Sequence, residues 1–266
     1  MDIRAVDLSS TTGRSALHGA APVTKLLSFA FVLAAVVVQQ NLLVIMAIGM
    51  ALSALAIGSR LRLGLVFGLA AYPGIFAIVF AFAAAPDALT GSLFVAKAMT
   101  AALAAVVLIC TTPYPQVFAP VQRIVPGVVG DAMLMTYRSL FLLAEKSDRL
   151  RIAVRLRSGL ARRQPIRAAR AAAAALGGLV LYAFDLSQRE YDVMRLRGYE
   201  GRLRATLPHP LDPRVDAALI VAASALLALA IVFRLAGAGL TPYSWLPTAG
   251  ALLALLAVVA WRLIRR

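Results

Sequence analysis

Long apolar stretches alternate with short polar turns over the first 112 residues, and two further apolar stretches close the chain. A membrane-spanning helix needs roughly 20 predominantly apolar residues, and long cationic side chains at its ends extend its reach. The pattern predicts an all-α polytopic membrane protein with transmembrane helices in 1–112 and 215–266 and a polar segment, 113–214, between spans four and five. The six predicted spans cover residues 26–38, 42–57, 63–85, 93–112, 217–233 and 243–261.

Individual residues refine the prediction for the first three spans. Lys25 precedes the first apolar stretch, and we expect its ammonium group to snorkel to the membrane interface. In the third span, Gly64 and Gly68 form a Gly-x-x-x-Gly pattern, which allows helices to approach closely. We expect this pattern to pack against another helix of the same chain rather than against another subunit. Tyr72-Pro73-Gly74 predicts a kink in the same span.

The polar segment predicts two helices separated by a break at Gln164-Pro165. Asp131 is expected to cap the N-terminus of the first helix, which runs to about Arg157. The second covers 166–186, and residues 187–197 continue or restart it. Its apolar middle is shorter than the roughly 20 residues that a span needs, so we expect a packed or interfacial helix. Opposite charges three or four positions apart should stabilise both helices: Glu145–Arg149, Asp148–Arg151 and Asp185–Arg189.

Arginine and lysine residues concentrate in the polar segment. Residues 138–170 and 189–214 hold sixteen of the 27 Arg and Lys residues, whereas the turns at 39–41, 86–92 and 236–242 hold none. Because cytoplasmic loops carry the excess of Arg and Lys in membrane proteins, the polar segment and both termini are predicted to be cytoplasmic. The net charge of +15 then matches an anionic membrane surface rather than nucleic acid, which we do not expect as a partner.

The motifs of ATP hydrolysis and of common catalytic sites are absent from the sequence. There is no Gly-x-x-x-x-Gly-Lys-Ser/Thr loop for phosphate, so ATP hydrolysis is not expected of this chain. No Asp, Glu or His lies inside a predicted span, where transporters that move ions by themselves usually place ionisable groups. The single cysteine, Cys110, excludes an internal disulfide. We therefore expect no catalytic residues, metal ligands or cofactor in this chain.

Two similar phrases occur in the polar segment. Residues 153–159 read Ala-Val-Arg-Leu-Arg-Ser-Gly, and residues 193–199 read Val-Met-Arg-Leu-Arg-Gly-Tyr. Each places an Arg-x-Arg in the last turn of a predicted helix, shortly before a glycine that ends it. One such arginine would complement the helix dipole, worth about 0.3–1 kcal/mol. Two phrases in one cytoplasmic segment favour the docking of a partner.

These phrases and their surroundings resemble a known family. Residues 187–201, Ser-Gln-Arg-Glu-Tyr-Asp-Val-Met-Arg-Leu-Arg-Gly-Tyr-Glu-Gly, and residues 137–159, which begin Tyr-Arg-Ser-Leu-Phe-Leu-Leu-Ala-Glu, resemble the two coupling helices of the transmembrane (T) component of energy-coupling factor (ECF) transporters. The lead-in at 17–27, with Leu-His and Pro-Val-Thr-Lys-Leu-Leu, is similar to the start of the cobalt-transport, CbiQ-type branch of that family.

The resemblance implies a non-catalytic scaffold in a bacterial inner membrane. In that family each coupling helix ends in Ala-Arg-Gly, and the arginine docks into a groove on one of two ATP-binding-cassette ATPases. The resemblance assigns ATP and Mg²⁺ to those ATPases and the capture of substrate to a further integral membrane subunit. The matching triplets are Leu156-Arg157-Ser158 and Leu196-Arg197-Gly198, so leucine replaces alanine in both, serine replaces glycine in the first, and both arginines are kept.

From this resemblance we expect Arg157 and Arg197 to contact the ATPases. The remaining expected docking residues adjoin them: Arg155, Arg195, Ser158 and Gly198. Membrane lipid completes the expected partners, and the expected substrate is a transition-metal cation such as cobalt, with nickel or a vitamin as alternatives. Two other classes stay open from the residues alone: a membrane-embedded lipid-modifying enzyme, and a basic membrane-surface protein that binds RNA.

Overall fold

The computed structural model describes residues 15, 17–59, 61, 63–113, 116–118, 120, 122, 125–156, 165–199, 213–236 and 243–264. Within these residues the chain is helical and has no β-strand. The long helices are α1 (Pro22–Val38), α2 (Leu42–Gly58), α3 (Leu63–Ala84), α4 (Ala88–Thr111), α5 (Gly127–Leu156), α6 (Pro165–Leu196), α7 (Pro213–Leu235) and α8 (Trp245–Ile264). Helices α3 to α8 are long and apolar enough to cross a membrane, by length and composition. The predicted all-α, multi-pass membrane architecture is therefore confirmed.

The helices that meet this criterion are not the same six that the sequence pattern selected. Helices α3, α4, α7 and α8 coincide with predicted spans three to six. Helices α1 and α2 have 17 residues each, at the lower end of the roughly 17–25 that span a bilayer. Helices α5 and α6 qualify because they are continuous for 30 and 32 residues, so apolar windows form inside them. Residues 187–197 thus continue the preceding helix rather than restart it.

The chain divides into two compact units, residues 1–117 with 207–266, and residues 118–206. In the first unit α3 packs against α4, α2 against α8 and α4, and α1 against α7 and α4. Small and branched side chains fill the core between these helices, and Cys110 is 1% exposed there. On α2, a Cβ added at Gly49 would lie 3.2 Å from the Thr100 hydroxyl oxygen on α4, so the missing side chain permits this close approach.

The expectation that Gly64 and Gly68 pack within the chain is wrong, since an added Cβ at either glycine would meet no atom within 4 Å. The buried positions of α3 are Val66, Ala70 and Gly74, which follow one another at i, i+4 spacing and form one face of the helix. The two glycines are offset by two positions from that face, about 200° around the helix axis. They therefore lie on the exposed side of α3.

The expectation that Lys25 snorkels to the interface is also wrong. Lys25 is only 5% exposed, and its Nζ donates to the carbonyl oxygens of Thr111, at 3.1 Å, and His18, at 3.4 Å. Thr111 ends α4, where backbone carbonyls lack partners within the helix and attract a cation. Nearby, the amide of Ala21 donates to Oδ1 of Asp216 at 2.7 Å, in the first turn of α7. The segment before α1 and the first turn of α1 thus connect the end of α4 to the start of α7, and we call these contacts the lead-in clasp.

Candidate functional site

Helices α5 and α6 form an antiparallel hairpin in the second unit. Near the middle, the Lys146 ammonium lies 4.8 Å from the centroid of the Tyr182 ring. Towards the start of α5, Ser139 Oγ donates to Glu190 Oε2 at 3.1 Å. Because residue numbers rise along one helix as they fall along the other, the two helices run in opposite directions. The end of α6 therefore lies beside the start of α5, and the end of α5 beside the start of α6.

The ion pairs predicted on the surfaces of the two helices are confirmed. Arg149 Nη2 lies 2.5 Å from Glu145 Oε1, and Arg189 Nη2 lies 2.7 Å from Asp185 Oδ2. Asp148 pairs with Arg151 at 3.4 Å. All these side chains are largely exposed, so each pair contributes only about 0.2–0.5 kcal/mol to helix stability. These pairs make the surface of the hairpin polar, and they do not involve the arginines at the ends of the two helices.

Asp131 does not cap α5, contrary to expectation. The helix begins at Gly127, directly after Pro126, whose carbonyl accepts from the amides of Val129 and Gly130. An N-cap at Asp131 would start the helix at residue 132, so the observed start is five residues earlier, and Asp131 lies inside the helix and is 6% exposed. Its carboxylate Oδ2 instead accepts a hydrogen bond from the Tyr199 hydroxyl at 2.5 Å. This bond raises the pKa of Tyr199 above its usual value of about 10.

The end of α6 is a Schellman motif built on Gly198, as the helix-stop pattern predicts. Gly198 has φ +74°, in the left-handed region that favours glycine. Its amide donates to the Arg195 carbonyl, and the amide of Tyr199 donates to the Met194 carbonyl, both at 3.1 Å. Arg197 is consequently the C-cap residue, held between a helix and a fixed turn. Tyr199 then ties this turn to Asp131 on α5, a contact that the sequence analysis missed.

The arginines at the end of α6 project from this rigid support. Arg197 is exposed and forms no ion pair with any residue that the structure describes. Arg195 is also exposed, and its guanidinium lies 5.9 Å from the centroid of the Tyr191 ring on the same helix. Leu196, between them, is 88% exposed. The tip of α6 therefore presents cations around an apolar side chain, a combination suited to binding another protein.

The end of α5 presents a similar but less complete picture. Arg155 is exposed in the last turn, and Leu156 is 80% exposed. Arg157 and Ser158, both predicted docking residues, lie outside the described residues. Lys146 faces Tyr182, and the two helices run in opposite directions. Nine residues further along α5, Arg155 therefore lies opposite a point about nine residues before Tyr182 on α6, which is about 22 residues before Arg195. At 1.5 Å per residue the two tips are roughly 33 Å apart along the hairpin.

Comparison with known proteins assigns a family to this arrangement. Among the residues that the structure describes, no three His, Cys, Asp or Glu side chains are grouped as they would be to hold a metal ion. The model of the family described as CbiQ, cobalt transport protein, matches residues 13–209. The match contains the lead-in, helices α1 to α6 and both arginine phrases. A search of curated proteins gives no match.

Proposed function

The chain belongs to the CbiQ cobalt transport protein family, the transmembrane component of cobalt and ECF transport, and from that premise we propose that its hairpin couples two partner ATPases to the uptake of cobalt. Arg197 and Arg157 are the contacts in this proposal, one for each ATPase. Arg155, Arg195, Ser158 and Gly198 flank these contacts. Family membership favours this role over a lipid-modifying enzyme or an RNA-binding protein.

The observation that carries the proposal is the tip of α6. Arg197 is exposed, lacks an ion pair with the described residues, and follows a helix that ends in a fixed turn. Because the backbone at Arg197 is already fixed, binding has to order only the arginine side chain, which favours affinity. Truncating one partner of a buried, hydrogen-bonded charge pair costs about 2–5 kcal/mol. A carboxylate-lined groove on an ATPase would therefore bind this tip strongly and specifically.

The distance between the two tips supports two docking sites rather than one. Arg155 and Arg195 are roughly 33 Å apart along the hairpin, so a single groove would not hold both helix ends. Two ATPase subunits, one at each tip, fit this separation. When ATP brings the ATPases together, the tips would be displaced and the movement would pass along α5 and α6. In this proposal ATP and Mg²⁺ bind to the ATPases, and a separate integral membrane subunit captures cobalt.

We place the hairpin on the cytoplasmic face and the six spans at α1–α4, α7 and α8. A spanning α6 would put the two arginine phrases on opposite sides of the membrane, and both phrases must face the cytoplasm to reach ATPases. Single cysteines at Ala153 and Asp192, in a Cys110→Ala background, test this placement. Both should react with a membrane-impermeant maleimide only when the cytoplasmic face is accessible. Labelling of the two positions from opposite sides would contradict the proposed function.

Charge reversal at the α6 tip is the direct test of docking. Arg197→Glu should leave the protein in the membrane, reduce co-purification of the ATPases at least tenfold and abolish cobalt uptake by cells. The matched control is Arg189→Glu, which makes the same change of charge on the same helix two turns earlier, where Arg189 pairs with Asp185 on the surface. The control should retain uptake and co-purification. Unchanged ATPase binding in Arg197→Glu would exclude this arginine as a docking residue.

A further inference from the structure

A cavity in the first unit is lined by two cations. Its volume is about 650 Å³, and it lies between the turn at residues 39–41, the first half of α4 and the end of α7. The cations are Lys97 and Arg234, and the lining includes Thr90 together with apolar side chains such as Phe94 and Phe233. The lining residues include no aspartate or glutamate. The cavity therefore combines positive charge with an apolar wall.

The cation on α4 is held in place at this cavity. Lys97 Nζ donates to the carbonyl oxygen of Val37 at 3.2 Å, in the last turn of α1. Carbonyls in the last turn of a helix lack partners within it and carry partial negative charge. This contact uses one of the three donors of the ammonium group and leaves the others available. Arg234, in the last turn of α7, forms no ion pair with the residues that the structure describes.

A buried amide orders the turn at the edge of the cavity. Gln39 is 1% exposed, and its Oε1 accepts from the backbone amides of Gln40, at 2.8 Å, and Asn41, at 3.1 Å. These two bonds fix which end of the side-chain amide faces the turn. Its Nε2 has no hydrogen-bond partner among the described residues.

We propose that this cavity binds a phosphate group, with Lys97 and Arg234 pairing with its oxygens. Phosphate offers several strong acceptor oxygens and suits the guanidinium fork. The cavity lies at the ends of membrane helices, where lipid headgroups are found, and Phe94 and Phe233 provide contact for the glycerol and upper acyl chains. An anionic phospholipid and free phosphate share this chemistry, and the experiment separates them. The site is independent of the proposed docking of ATPases.

Native mass spectrometry of the purified chain tests the site with three probes. These are phosphatidylglycerol, diacylglycerol with the same acyl chains, and inorganic phosphate. The wild-type chain should retain one phosphatidylglycerol with at least tenfold higher affinity than diacylglycerol. If millimolar inorganic phosphate also binds and displaces the lipid, the natural ligand is free phosphate. If it does not, the ligand is the lipid headgroup, and either result supports the site.

Two variants and a control complete the design. Gln39→Glu keeps the oxygen that accepts from the turn but adds a negative charge at the lining of the cavity, so phosphatidylglycerol binding should fall at least tenfold. Arg234→Met changes an exposed residue, and it should lower the affinity while leaving the chain folded. Arg214→Met removes an exposed cation at the start of α7 and should not change binding. The proposal would be overturned if the wild type, Gln39→Glu and Arg234→Met retained phosphatidylglycerol equally. It would also be overturned if the chains retained diacylglycerol as well as they retain phosphatidylglycerol.

Discussion

At the scale of single residues, Gly198 fixes the backbone turn that follows Arg197. Its φ of +74° costs a residue with a side chain about 1–2 kcal/mol, and asparagine less than most others. We expect Gly198→Ala to loosen the last turn of α6 and to weaken ATPase co-purification, with Gly198→Asn intermediate. Gly177→Ala is the control, because Gly177 lies within the same helix with open space around it. That change should preserve binding and stabilise the helix by about 0.5–1 kcal/mol. Equal ATPase binding by all three variants would show that the turn at Gly198 is not needed for docking.

The hydrogen bond from Tyr199 to Asp131 is a second residue-scale determinant of the tip. Tyr199→Phe should lower the melting temperature of the chain and reduce ATPase co-purification, because the turn after Arg197 loses its tie to α5. The bond raises the pKa of Tyr199, so its contribution to stability is complete below pH 10 and is lost as the pH rises through the raised value. Melting curves of both chains should therefore differ equally at pH 7 and pH 9 and converge above pH 10. A constant difference at all pH values would contradict this assignment.

At the scale of elements, the sequence predicted helices well but placed some of their ends wrongly. The start of α5 was predicted at Asp131 because a carboxylate before a helical pattern is the usual N-cap. Pro126 starts the helix instead, and the same carboxylate accepts from Tyr199, 68 positions away. Local pattern does not distinguish these two uses of an acid. The end of α6 was predictable because Gly198 ends the helix by its own backbone conformation, which depends on no distant residue.

The exposed face of α3 shows the same limit. A Gly-x-x-x-Gly pattern indicates that a close approach is possible, but it does not name the helix face that the rest of the chain covers. That face is set by Val66, Ala70 and Gly74, and a Cβ at Gly74 would lie 3.1 Å from Met99 Cγ on α4. We expect Gly74→Leu to destabilise the bundle by about 1–3 kcal/mol through overpacking. Gly68→Leu should be tolerated in thermal melts of the detergent-solubilised chain. Equal losses for both would show that Gly68 is also packed.

At the scale of the whole molecule, the lead-in clasp is the feature that the hydrophobic pattern could not predict. Its contacts join residues 86 and 195 positions apart, and neither leaves a periodic signal in the sequence. Yet they bring together the end of α4, after which the chain leaves the first unit, and the start of α7, soon after it returns. The chain itself connects the hairpin to the membrane helices at these two crossings. Under the proposed function we therefore expect the clasp to act in the transmission of movement rather than in docking.

Replacing the buried lysine tests this division of roles. Lys25→Met keeps an unbranched side chain, one heavy atom shorter, but leaves the Thr111 carbonyl without its donor, which should cost about 1–3 kcal/mol of stability. We expect cobalt uptake to fall while the ATPases still co-purify, the reverse of the separation expected for Arg197→Glu. Ser28→Ala is the control, since its buried hydroxyl oxygen, one turn further along α1, has no hydrogen-bond partner among the described residues. If Lys25→Met lost uptake and ATPase binding in parallel, the clasp would be needed for docking. A lysine that is needed only for transmission should leave the tips of the hairpin, and so ATPase binding, unchanged.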